Sequence, residues 1–162
     1  MISEVNCYPQ YLIEETIFNE NYAVISVTDS KFDKDGMAKI TGTNNILRLQ
    51  FLDIEEPCQN IEYSSFTDEM GLKVQDFVTS LHKSEKDIKL VIHCRMGASR
   101  SPALSLYVKT LTGCEFPGEL FATKPNLLVL KTMEKISGLK IEIPEQTNDF
   151  TGIAIIPKIK VN

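Results

Sequence analysis

The run Ile88-Lys89-Leu90-Val91-Ile92-His93-Cys94-Arg95-Met96-Gly97-Ala98-Ser99-Arg100-Ser101-Pro102 decides how this chain reads. Its first five residues are nearly all apolar, as expected of a central parallel strand covered on both faces. It closes on a proline, which suits the first helical position because its missing N–H would be unpaired there anyway. Between strand and helix lies a short loop carrying a cysteine, a glycine and an arginine. The order is strand, anion-binding loop, helix. Loose N–H groups and the helix dipole favour negative charge at such a junction. Successive N–H groups from Arg95 to Arg100 can curl into an anion nest. Gly97 permits the positive-φ or close-approach geometry that such a turn needs.

Working outward, Tyr22-Ala23-Val24-Ile25-Ser26-Val27 predicts a buried strand. Residues Asp29 to Asn45 are rich in Asp, Lys, Gly, Thr and Asn and predict a loop. Ile46 to Phe51 alternates apolar and polar residues, a second strand. The acidic, proline-containing stretch from Asp53 to Ser65 predicts another loop. A helix is expected near Phe66-Thr67-Asp68-Glu69, with Thr67 as cap and the acidic residues at its positive end. Met70, Val74, Phe77, Val78 and Leu81 give that helix one buried stripe.

The helix opened by Ser101-Pro102 carries Ala103, Leu104, Leu106, Tyr107, Val108 and Leu111, and Gly113 ends it. A further helix is expected from Asn126 to about Ser137, stopped by Gly138. In the tail, Leu139 to Asn162, the runs Ile141 to Ile143 and Ile153 to Ile156 are expected as strands at a sheet edge. Strands alternating with helices predict an α/β fold, a small, mostly parallel central sheet flanked by helices. One domain over residues 1–162 is expected, with no role assigned to the tail from 139 to 162.

Composition narrows the function. The chain has 162 residues and a formal net charge of -5. That charge argues against a global nucleic-acid footprint, which wants a basic face. No apolar stretch approaches the ~20 residues of a membrane helix. The start, Met1 to Asn6, shows no secretory pattern, so the reduced cytoplasm is the expected compartment. The four cysteines, Cys7, Cys58, Cys94 and Cys114, form no CxxC pair, and the only histidines are His82 and His93. No metal site is therefore expected.

The loop residues suggest definite chemistry. A cysteine is a nucleophile only as thiolate, and its free pKa of ~8.5 falls at helix N-termini and beside cations. Cys94 is the candidate nucleophile. Arg100 can bind two phosphoryl oxygens bidentately, which lysine cannot copy. The Ser101 hydroxyl can donate to the Cys94 sulfur. His93 precedes the nucleophile on the strand, so its side chain should point away and order the loop by hydrogen bonding. Arg95, Met96, Gly97, Ala98, Ser99 and Arg100 form the expected binding loop, with Arg95 and Met96 as filler or pocket rim. Cys7, Cys58 and Cys114 are expected to be buried and inert. His82 is expected to be solvated, and Tyr8 and Tyr11 to serve packing.

His-Cys, five residues, Arg-Ser resembles the signature of the cysteine-based protein tyrosine phosphatases. The small size and the Ser-Pro opening the next helix look most like the dual-specificity-like group. The segment Leu47-Arg48-Leu49-Gln50-Phe51-Leu52-Asp53 and the later Phe66-Thr67 helix are similar to compact bacterial and phage members. The resemblance spans about Ile46 to Leu111, is weaker before it and is absent in the tail.

The resemblance implies a phosphomonoester hydrolase that acts through a phosphocysteine, on phosphorylated protein, without metal or cofactor. It implies Cys94 as nucleophile, Arg100 as phosphate binder and Ser101 as the hydroxyl that serves the leaving thiolate. It also implies an aspartate general acid on a separate loop. Asp53, directly after the second strand, is the candidate, with Glu55, Glu56 and Asp68 as rivals. Two other readings stay open. One keeps the loop but takes a phosphoinositide or an RNA 5′-triphosphate. The other is a phosphate-reading binding module without turnover.

Overall fold

The computed structural model describes residues 1–29, 36–58, 64–145 and 159–161. Four parallel strands form one sheet: β1 (Ile2–Pro9), β2 (Tyr22–Thr28), β3 (Ile46–Gln50) and β4 (Ile88–Cys94). Their order is β1-β4-β2-β3, so the chain is α/β with an all-parallel central sheet. β4 lies between β1 and β2. Its register sets Pro9 beside Cys94 on one side and Ser26 beside His93 on the other. All four strands end at the same edge, where ligands bind in open parallel sheets.

Among the described residues four α-helices accompany the sheet: α1 (Gln10–Glu14), α2 (Asp68–His82), α3 (Arg100–Thr112) and α4 (Leu127–Ser137). The period of two along β4 divides its side chains between two layers. Leu90, Ile92 and Cys94 face the larger core, where they meet Val74 and Val78 of α2, Leu104 and Tyr107 of α3, and Val129 and Met133 of α4. Val91 faces the smaller core, with Tyr8, Val24, Leu12, Ile13 and Phe18. Apolar residues on both faces therefore account for the nearly unbroken apolar run of β4.

Helix ends follow local chemistry. The Thr67 side chain accepts from the Met70 N–H, a cap worth about 1 kcal/mol. Gly113 and Gly138 close α3 and α4 in the left-handed conformation that glycine adopts without strain. Asn126 caps α4 through its side-chain oxygen, so this helix begins one residue after the expected start.

Several expectations need correction. α3 starts at Arg100 rather than at Ser101-Pro102, so the arginine belongs to the first helical turn. Ile2–Pro9 carries no strand pattern, because Ser3, Glu4 and Asn6 interrupt it, yet main-chain pairing with β4 makes it an edge strand. Ile141 to Ile143 is not a strand. The Ile141 N–H donates to Glu134 Oε1 of α4, and its side chain folds onto the core instead of joining the sheet. Ile153 to Ile156 lies outside the described residues. His82 is not simply solvated, since its Nδ1 accepts from the Ile2 N–H and ties α2 to β1. Cys58 is exposed rather than buried, because it falls on the acidic loop after β3.

Candidate active site

The loop from Cys94 to Arg100 is held at both ends by buried groups. Cys94 is 2% exposed and Arg100 4%. Gly97 sits between them at φ +70°, and a Cβ there would lie 2.6 Å from Pro9 N and 2.7 Å from the Tyr8 carbonyl carbon. Glycine is thus required twice over, by the torsion and by the close approach to β1. The Gln10 N–H donates to the Arg95 carbonyl at 3.2 Å, so the start of α1 braces the loop as well. Among the described residues no backbone carbonyl takes a bond from the N–H groups of Met96, Gly97, Ala98 or Ser99. These donors are left for a ligand or solvent.

Cys94 Sγ lies 3.2 Å from Ser101 Oγ, and Ser101 is fully buried. The expected hydroxyl is therefore in contact with the expected nucleophile. Arg100 Nη1 donates to Asp29 Oδ1 at 2.6 Å and to the Phe51 carbonyl at 2.8 Å. Its guanidinium carbon stands 5.9 Å from the centre of the Phe51 ring. The Arg100 Nε is buried with no hydrogen-bond partner among the described residues. A buried donor left unmade costs about 1–3 kcal/mol, and more when charged. Asp29 was not anticipated. Its signal is the one that marked Asp53, a carboxylate directly after a strand at the sheet's carboxyl edge.

Asp53 is joined to the loop. Its Oδ1 accepts from Ser99 Oγ at 2.8 Å and from Asn126 Nδ2 at 2.8 Å. The Ser99 side chain is thus engaged with the carboxylate, leaving its N–H to the loop. The rivals are occupied elsewhere or stand apart. Glu55 Oε1 accepts from the Leu127 N–H at the start of α4. Asp68 pairs with Lys135 in the first turn of α2. Glu56 is exposed on the same loop, as Asp53 is, but only Asp53 is bonded to Ser99 and Asn126. Arg95 is 72% exposed in its side chain and Met96 73% exposed, so both form a rim. Ala98 is also exposed.

His93 points away from Cys94, into the second layer, where Nε2 lies 2.8 Å from Ser26 Oγ. Burial pushes its pKa down to about 4, with the charges of Arg48 and Arg100 acting in the same direction and the Cys94 backbone opposing. The imidazole is neutral near pH 7 and lends no positive charge to the loop. Between pH 6.5 and 4 the unfolded chain binds a proton at this residue that the folded chain refuses. Folding stability should therefore fall with pH across that window, by about 3 kcal/mol at its lower end. Urea unfolding at pH 7 and pH 4.5 checks this, and His93→Gln should lose that share of the pH dependence. Cys7 is pushed up to about 12, first by burial and then by Cys94, so it remains a neutral thiol.

The chain matches no protein-family model, no curated protein and no solved structure. Among the described residues no group of three or more His, Cys, Asp or Glu is placed to hold a metal ion. Among them, too, no helix is long and apolar enough to cross a membrane. A cleft of about 430 Å³ opens beside the loop, bounded by Tyr11, Glu14, Asp29 and Arg95. A larger cavity of about 630 Å³ touches the outer side of the loop at Met96, Gly97 and Ala98, and neither cavity is lined by Cys94 or Arg100. Tyr8 is buried as expected, whereas Tyr11 is exposed at the cleft. The arrangement brings a cysteine sulfur, unpaired backbone N–H groups, a guanidinium and a carboxylate to one sheet edge.

Proposed function

We propose that this protein is a phosphomonoester hydrolase that works through a phosphocysteine intermediate, with phosphorylated protein as its substrate. The observation that carries this reading is the buried, unpartnered Nε of Arg100 on the loop that also holds the Cys94–Ser101 contact. Nη1 is taken by Asp29 and Phe51, and Nε has no partner among the described residues, so the guanidinium keeps donor capacity for a phosphoryl group. The loop N–H groups bind the remaining oxygens and follow the charge into the transition state.

In the first step the Cys94 thiolate attacks phosphorus. The S–P bond forms, the bond to the leaving oxygen breaks, and protonated Asp53 gives that oxygen its proton. In the second step Asp53, now a carboxylate, takes a proton from water as the water attacks phosphorus. The S–P bond breaks, inorganic phosphate leaves, and the Ser101 hydroxyl donates to the returning thiolate. This is the chemistry implied by the resemblance to the cysteine-based protein tyrosine phosphatases. A reducing cytoplasm is the compartment it calls for, because the thiolate is readily oxidised elsewhere. The exposed rim of Arg95 and Met96 suits a side chain presented on a peptide.

Phosphate release from a phosphotyrosine peptide and from p-nitrophenyl phosphate, at pH 5 to 8 with excess chelator, tests the proposal. Release from both is expected. Peptide binding without release would make the protein a phosphate-reading module instead. Faster release from an inositol phospholipid or an RNA 5′-triphosphate would move the substrate class. Asp53→Ala should slow the peptide reaction about 10²-fold while the peptide still binds. Steady-state rates with a separate binding isotherm check that outcome.

A further inference from the structure

We infer that Asn126 is the positioning residue of the general acid, its amide deciding which oxygen of Asp53 carries the proton to the leaving group. The inference rests on the function proposed above and adds a residue that neither the motif nor the loop contains. Asn126 is 1% exposed, and its polar groups have distinct partners. Its Oδ1 accepts from the Val129 N–H at 3.0 Å, as the cap of α4. Its Nδ2 donates to Asp53 Oδ1 at 2.8 Å and to the Ile54 carbonyl at 3.3 Å. Its own N–H donates to the Ser99 carbonyl at 3.1 Å.

The cap and the acid are therefore coupled through one side chain. An asparagine amide can usually turn over at little cost. Here the turned amide would set Oδ1 against a carboxylate oxygen and Nδ2 against the Val129 N–H. The first clash is part-buried and the second fully buried, and both are electrostatic, so one orientation is strongly preferred. That orientation, with the Ser99 hydroxyl, places two donors on Oδ1 of Asp53. An oxygen that accepts two hydrogen bonds has little capacity left for a proton. Oδ2 has no partner among the described residues and is where the transferable proton resides. Asn126 also holds Ser99 of the loop, so acid and loop move as one unit.

A leaving-group comparison tests this. Tyrosine is a poor leaving group, with a phenol pKa near ~10, and depends on the acid. Nitrophenolate leaves with little protonation. Asn126→Ser keeps a capping oxygen but removes the donor to Asp53. It should lower kcat on a phosphotyrosine peptide about tenfold or more, and on p-nitrophenyl phosphate less than about threefold, with KM nearly unchanged. In an Asp53→Asn background the same substitution should no longer change the ratio of the two rates, as a coupled pair requires.

Should Asn126→Ser fold poorly, Asn126→Asp gives the same readout, since it caps equally well and sets a carboxylate against Asp53. Equal losses on both substrates, or an undiminished effect in the Asp53→Asn background, would overturn the assignment and leave the proposed function standing. No hydrolysis by the wild-type protein would overturn both.

Discussion

Cys94→Ser is expected to reduce turnover by at least about 10⁴-fold while leaving the fold and peptide binding intact, because the reaction has no other route once the nucleophile is gone. The substitution changes one atom in a side chain that is 2% exposed, so packing hardly alters. Serine is not an anion near neutral pH. The loop donors and the Arg100 Nε are untouched. Binding should therefore hold. Fluorescence anisotropy with a labelled phosphotyrosine peptide reads binding, and rapid quench with radiolabelled phosphopeptide reads the covalent step. Label should accumulate on wild-type protein and be missing from Cys94→Ser. Turnover within tenfold of wild type would remove Cys94 as nucleophile.

How much of this was legible in the residues depends on where the information sits. β4 and its loop were readable because a short contiguous run holds the strand, the turn glycine and the helix start together. Thr67, Gly113 and Gly138 were readable for the same reason, since a cap is decided within a few residues. β1 was not readable. Its strand character comes from backbone pairing with β4, across more than eighty positions of sequence, and its own residues alternate poorly. The tail run Ile141 to Ile143 failed in the opposite sense. Its β-branched residues suit a strand, but α4 offers its backbone a carboxylate and its side chain a place in the core.

The site divides along the same line. Cys94 and Ser101 lie seven residues apart and meet as the spacing implied, while Arg100, between them in sequence, reaches Asp29 and the Phe51 carbonyl. Asp53 follows β3 and reaches the loop because parallel strands end at one edge. Asp29 follows β2 at that same edge and pairs with Arg100, so the argument that found Asp53 applied to it equally. Asn126 was visible only as the start of a helix. Its amide matters because folding brings the start of α4 against the loop after β3, a contact between residues 73 positions apart.

Arg100→Lys is the second large effect. It conserves charge, so any loss must come from geometry. Under the proposed function Arg100 does two jobs with one planar group: Nη1 satisfies Asp29 and the Phe51 carbonyl, and Nε, which has no partner among the described residues, serves the phosphate. A lysine ammonium is a single point with three donors. If it stays with Asp29 at the sheet edge, the phosphate loses its bidentate partner. If it turns to the phosphate, the Phe51 carbonyl loses its donor and Asp29 is left with Arg95, whose Nη1 lies 3.6 Å from Oδ2. Either way the charge that develops on the phosphoryl oxygens is met by fewer fixed donors. The expected loss in kcat is about 10²–10³-fold, the size seen when one preorganised oxyanion donor is removed. KM should rise by a smaller factor, because the ground state also uses the loop N–H groups. The thermal midpoint should move little, since the Asp29 charge keeps a cationic neighbour. Steady-state kinetics on a phosphotyrosine peptide, beside a melting curve, separate these effects. A variant within threefold of wild type in kcat would mean that positive charge alone serves the phosphate, and the unpartnered Nε of Arg100 would lose its meaning.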